Sequence, residues 1–238
     1  MSIGLFKTPV FRIEGDKGLL VEYGDEINPK INHKVRAIKY ALTKNPLKGV
    51  EELIPTYRSL IIIYNPSQTN PTVLKERLLA LENKIIDVKI PPPEVIKIPV
   101  CYGGDLGPDI GFVAEYHNIT VDKVIELHTR PEYQIYMLGF TPGFPFLGGL
   151  PDELHTPRLK TPRQKVPAGS VGIANGQTGI YSIDSPGGWQ LIGRTPLKIF
   201  DQRRKNPFLF KAGDKLKFES ISFEKYEKIK EANHERDS

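Results

Sequence analysis

Three consecutive prolines, Pro91-Pro92-Pro93, are the tightest local constraint on what this chain can fold into. Proline fixes φ and lacks a backbone donor, so a triple enters neither a helix interior nor a central strand. It reads as an extended linker, and the sequence changes texture across it. With 238 residues the chain can supply two modest cores. Residues 1–90 are therefore read as a small α+β domain and 91–238 as a mainly β, barrel-type domain.

Before the prolines, strand and helix signals alternate. Phe11-Arg12-Ile13 and Gly18 to Tyr23 flank a turn at Glu14-Gly15-Asp16. From Pro29 to Lys44, Ile31, Val35, Ile38 and Leu42 recur at helical spacing, with Asn28 placed to cap. Val50 to Thr56 and Leu60 to Tyr64 form a second strand pair. Pro71 opens a helix with Val73, Leu74, Leu78 and Leu81 as its apolar face. The predicted order is strand, strand, helix, strand, strand, helix.

Beyond the prolines, glycine and proline punctuate short strands predicted at Ile96–Val100, Val171–Ala174, Gly179–Ile183, Gln190–Gly193 and Leu197–Phe200. Such spacing suits a β-barrel. A helical insert over 108–128 is divided at Asn118, a residue tolerant of left-handed backbone, with Thr120 capping its second half. The charged tail from Phe223 to Ser238 reads as a short helix.

The region from Tyr136 to Pro196 is dense in glycine and proline, in runs such as Pro142-Gly143-Phe144-Pro145-Phe146-Leu147-Gly148-Gly149 and Ser185-Pro186-Gly187-Gly188-Trp189-Gln190. Glycine allows positive φ and close approach of backbone to a ligand, while interleaved proline stiffens the loop. Tight barrel corners would explain many of these residues singly. With Arg158, Arg163, Gln177, Tyr181 and Arg194 distributed among them, the region is read as a ligand surface.

Composition narrows the function. Hydrophobic residues at 39% and charged residues at 26% describe a soluble globular chain. No apolar run spans a membrane and no leader-like stretch opens the sequence, which points to the cytoplasm. The net charge of +5 is mild, and no basic stripe or reading motif suggests nucleic acid. A lone Cys101 excludes an internal disulfide and a cysteine-built metal site, and it reads as a small buried filler. No phosphate-binding lysine loop, dinucleotide fingerprint, HExxH pair or GxSxG elbow occurs. Ser185 has no adjacent base and is not read as a nucleophile.

The glycine-proline runs, together with Cys101-Tyr102-Gly103-Gly104 and Val124-Ile125-Glu126-Leu127-His128, closely resemble the B component of 5-oxoprolinase. That family includes the KipI sporulation-kinase inhibitor and proteins called allophanate hydrolase subunit 1. The runs are also similar to one half of the C-terminal region of urea carboxylase. The resemblance extends from Gly18-Leu19-Leu20 to Gly213-Asp214. It implies a cyclophilin-like barrel behind a small α+β domain, a partner C component with a related barrel, and a separate A component. The complex it implies converts 5-oxoproline to glutamate at the expense of ATP, with no metal site in this chain. A cyclophilin-like barrel does not bring prolyl isomerase activity with it.

Arg158, Arg163 and Arg194 are candidate anion contacts, since a guanidinium clamps carboxylate or phosphate at two points. Solvated surface charge competes for Arg158 and Arg163. Gln177 and Tyr181 can satisfy a lactam, or brace the barrel. His128 is read first as a helix-end charge, and it is also the candidate proton-transfer group because a histidine titrates near neutrality. Trp189 is read as core or interface. Three functions follow: a component of an enzyme, inactive alone; a regulatory protein docking on a histidine kinase; and a partner in urea-linked carboxyl transfer. The first is preferred, because no kinase-docking surface is identifiable in the sequence.

Overall fold

Asn28 turns the sequence signal for the first helix into geometry. It sits in extended conformation and its Oδ1 accepts the Lys30 N–H at 2.9 Å, with Pro29 in the first turn. The computed structural model describes residues 4–82 and 90–237. Met1–Ile3, part of the stretch read for a leader, and Ser238, the end of the predicted tail helix, lie outside the described residues. The chain divides into two compact units, Met1–Pro92 and Pro93–Ser238.

The first unit runs β1 (Leu5–Glu14), β2 (Gly18–Gly24), α1 (Pro29–Lys44), β3 (Val50–Pro55), β4 (Ser59–Tyr64) and α2 (Pro71–Glu82). Its antiparallel sheet has the order β1-β2-β4-β3. Alternation along β2 and β4 sends Leu19, Val21 and Tyr23, with Leu60, Ile62 and Tyr64, to one buried face. Ile31, Val35, Ile38 and Leu42 of α1 and Leu74 and Leu78 of α2 complete that core. Each large aliphatic side chain buried there stabilises the unit by about 1.5–3 kcal/mol. Val73, expected on the apolar face of α2, is exposed. It lies one residue, or roughly 100° of helix, from buried Leu74.

The second unit contains β5 (Val95–Tyr102), α3 (Ile110–Tyr116), α4 (Val121–Thr129), β6 (Tyr133–Leu138), β7 (Pro145–Gly148), β8 (Arg163–Val166), β9 (Ser170–Ala174), β10 (Gln177–Ile180), β11 (Ser185–Gly187), β12 (Gln190–Arg194), β13 (Lys215–Ser220) and α5 (Phe223–Asp237). Seven strands form one sheet in the order β10-β9-β12-β5-β13-β6-β7, and the two end strands, β7 and β10, pack together. The result is a mixed α/β fold with a nearly closed barrel. Strands β8 and β11 pair separately. Ile98, Val100, Ile135, Val171, Ile173 and Phe218 are among the side chains filling the interior. Asn118 adopts φ 52 between α3 and α4, and the Thr120 hydroxyl accepts the Lys123 N–H at 3.2 Å, as the sequence predicts for the insert.

Two expectations for this unit fail. Leu197–Phe200 is not a strand: Phe200 alone makes an isolated bridge, to Phe208. Pro196 cannot donate to a ladder, and the Leu197 N–H goes to Thr195 Oγ1. The strand expected at Gly179–Ile183 lies at Gln177–Ile180, because the chain turns where Tyr181 exchanges backbone bonds with Gly169 and Ser170. Strand β13, unforeseen, pairs in parallel with β5 from Lys215↔Val95 to Ser220↔Val100.

Candidate functional site

The glycine-proline region folds into a satellite aromatic cluster distinct from the barrel core, made of Phe144, Val166, Ala174, Tyr181, Trp189 and Leu191 with Phe146 against it. Phe144 is its hub. It meets Phe146, Tyr181 and Trp189 edge-on, at centroid distances of 5.1, 5.7 and 5.6 Å. Phe140, on the turn between β6 and β7, stands edge-on to Phe144 at 5.8 Å. It is 72% exposed and held at φ 62, an unusual conformation for a bulky side chain. These rings and Arg158 line a cavity of about 150 Å³. Burial pushes the Tyr181 phenol up, against an opposing pull from the Trp189 backbone and the charges of Arg158 and Arg163. At neutral pH Tyr181 is therefore a protonated donor.

The predicted arginines do not converge on one cavity. Arg158 is exposed and lines the aromatic one. Arg163 is engaged internally: it donates to Asp109 Oδ1 at 2.7 Å and to the Trp189 carbonyl at 3.3 Å. Asp109 Oδ2 in turn accepts the Leu191 N–H, so this pair fastens the start of α3 to β12. Arg194 lines a second cavity, of about 390 Å³, with its Nε donating to the Ala168 carbonyl at 2.8 Å. Gln177 heads β10 and lines neither cavity.

His128, the proton-transfer candidate, lies fully buried in the barrel unit. Its hydrogen bonds fix its tautomer. The Thr178 hydroxyl donates to the Gly172 carbonyl at 3.0 Å, so it accepts from His128 Nε2–H at 2.8 Å. Nδ1 then carries the lone pair and accepts from the Tyr102 hydroxyl at 2.8 Å. The ring packs on Phe218 with centroids 4.4 Å apart. Burial lowers its pKa to about 3, so it is neutral at physiological pH. Neither proton transfer nor a cationic helix-end role suits it, and it acts as a polar brace in the core.

The aromatic walls beyond Tyr181 were not singled out as site residues from sequence. Their signal was present in the alternation of phenylalanine with glycine and proline from Phe140 to Phe146. Cys101 is buried, which raises its thiol pKa. Among the described residues, no group of three or more His, Cys, Asp or Glu side chains could hold a metal ion, and no helix is long and apolar enough to cross a membrane.

Comparison with known proteins adds an independent line. The family described as carboxyltransferase domain, subdomain C and D, matches residues 9–210. The B component of the 5-oxoprolinase of Bacillus subtilis is 40% identical over 92% of this chain and 96% of its own length. Its counterpart in Haemophilus influenzae is 56% identical over 52% of this chain and 58% of its own. The crystal structure of TTHA0988 superposes with a TM-score of 0.77 at 35% identity over 87% of this chain, which spans only 40% of that longer chain.

Proposed function

The chain belongs to the family of 5-oxoprolinase B components, and from that premise we propose that it is one part of an ATP-dependent 5-oxoprolinase, working beside the C and A components to convert 5-oxoproline to glutamate. In this reading its barrel is cyclophilin-like and carries no isomerase function.

The observation that carries the reading is the aromatic cavity of about 150 Å³ with Arg158 at its wall. A five-membered lactam bearing one carboxylate is a small ring with a single anionic handle. Phe144, Phe146 and Trp189 offer edges and faces to the ring, and Arg158 offers a two-point fork to the carboxylate. Tyr181, kept protonated by burial, donates to the lactam oxygen. Opening the ring is hard because the amide is resonance-stabilised and its amine leaves poorly; ATP supplies the activation that makes the lactam carbon electrophilic. The share of this chain is to hold the ring, neutralise its carboxylate and keep water off its apolar face.

Steady-state kinetics of the rebuilt complex test the assignment. Arg158→Ala should raise KM for 5-oxoproline roughly tenfold or more by removing a charge-assisted bond. Arg158→Lys should rescue poorly, because an ammonium cannot reproduce the planar fork. An unchanged KM in an intact Arg158→Ala complex would remove the substrate from this cavity.

A further inference from the structure

We propose that the second cavity, between the barrel loop after β12 and helix α5, binds the phosphate groups of a nucleotide through Arg194, Lys198 and Lys230. The proposal deepens the reading of an ATP-using assembly, although its test needs only the isolated chain.

Arg194 is the anchor. Its Nε is pinned to the Ala168 carbonyl at 2.8 Å, and no hydrogen bond from its two terminal amino groups occurs among the described residues. A guanidinium fixed by one nitrogen, with its other two nitrogens directed elsewhere, is a pre-organised fork for oxyanions. Lys198 follows on the same loop. Lys230 is brought by α5, which is docked through buried Tyr226 and a bond from Asn233 Nδ2 to the Pro196 carbonyl at 3.2 Å. Three cations thus line one cavity from a strand end, a loop and a helix.

The carboxylates nearby are already occupied or weakly held. Asp184, on the cavity wall, accepts from Lys165 Nζ at 2.9 Å and from the Ala168 N–H at 2.8 Å, and its pKa is lowered chiefly by the Lys165 bond, with a smaller contribution from the charge of Arg194. Asp201, 3.8 Å from Lys198, is held well below the usual carboxylate range, chiefly by its bond from Arg203. Glu227 pairs with Lys230 at 3.2 Å within α5, but both side chains are more than one third exposed, and such pairs yield readily to a multiply charged ligand.

Size and shape choose the ligand. About 390 Å³ is far more room than one carboxylate requires. Leu197, Phe200 and Tyr226 supply an apolar wall beside the cations, the pairing of surfaces that a nucleoside carrying a phosphate chain presents. Recognition here uses one guanidinium fork and two ammonium groups, in a sequence that has no phosphate-binding lysine loop, and it requires no hydrolysis by this chain.

Isothermal titration of the full chain tests this with ADP, pyrophosphate, adenosine and 5-oxoproline. ADP and pyrophosphate should bind, with affinity falling as salt rises, and adenosine alone should not. Arg194→Lys should weaken ADP roughly tenfold, and Lys198→Gln and Lys230→Gln each by a factor of about five. Lys97→Gln, an exposed residue paired with Glu219, is the charge control and should change nothing. Thermal melts establish folding; should Arg194→Lys unfold, the two lysine variants decide. No binding of ADP or pyrophosphate at millimolar concentration, or equal affinity in the lysine variants and the wild type, overturns the proposal. Variant-sensitive binding of 5-oxoproline in place of ADP also overturns it, by making the cavity a carboxylate site. A complex active on 5-oxoproline whose chain fails these titrations would sink the nucleotide site alone and leave the proposed function standing.

Discussion

A single buried histidine shows how much burial decides. His128 satisfies both ring nitrogens inside the protein and has its pKa lowered to about 3, against about 6.5 when unfolded. As pH falls, the unfolded state takes up this proton first. Stability from His128 is therefore intact above about pH 6.5 and is lost towards pH 3, at about 1.4 kcal/mol per pH unit. His128→Gln should cost about 1–3 kcal/mol near neutrality through lost ring packing, yet flatten the decline of Tm between about pH 6.5 and 4. Melting curves across that range are the check, and equal slopes for wild type and variant would contradict a neutral buried ring. Sequence alone left His128 open between proton carrier and helix-end cation, because burial is a tertiary property. The arginines carry the same lesson: three similar residues of the glycine-proline region become a cavity wall, an internal clamp and a pinned fork.

At the scale of elements, the clamp between Asp109 and Arg163 decides where the helical insert lies. Asp109 accepts both Arg163 and the Leu191 N–H, so Asp109→Ala should lose more stability than Arg163→Ala, within about 1–3 kcal/mol each. The double variant should lose less than the sum, since the two share one interaction. Denaturant unfolding of the cycle measures this; full additivity would mean that the contact contributes nothing. The loop before α3 leaves no slack, because a Cβ on Gly107 would overlap the Ile192 carbonyl. Helix α1 was legible because period and cap agree within a few residues, and the insert's two halves, α3 and α4, because Asn118 divides them and Thr120 caps the second. Strand β13 was not, although Leu216 and Phe218 alternate with charged residues, because its parallel partner β5 lies far back in sequence. Leu197–Phe200 misled for the opposite reason: apolar residues interrupted by Lys198 beside Pro196 resemble a strand until the backbone donors are followed.

For the whole molecule, the division at the prolines yields two compact units with their own buried clusters. A fragment beginning near Glu94 should be soluble and melt cooperatively, whereas unfolding of every such fragment beside a stable full chain would mean a shared core. The function reading rests on cooperation between chains, since the sequence shows no nucleotide-hydrolysis motif and the buried His128 is neutral. The most direct test is ATP-dependent formation of glutamate from 5-oxoproline by the purified A and C components, with and without this chain, beside the chain alone. Robust turnover only when all three are present is the predicted result. Turnover by the chain alone, or full activity of the other two components without it, would contradict its place as a required, non-autonomous part of the enzyme.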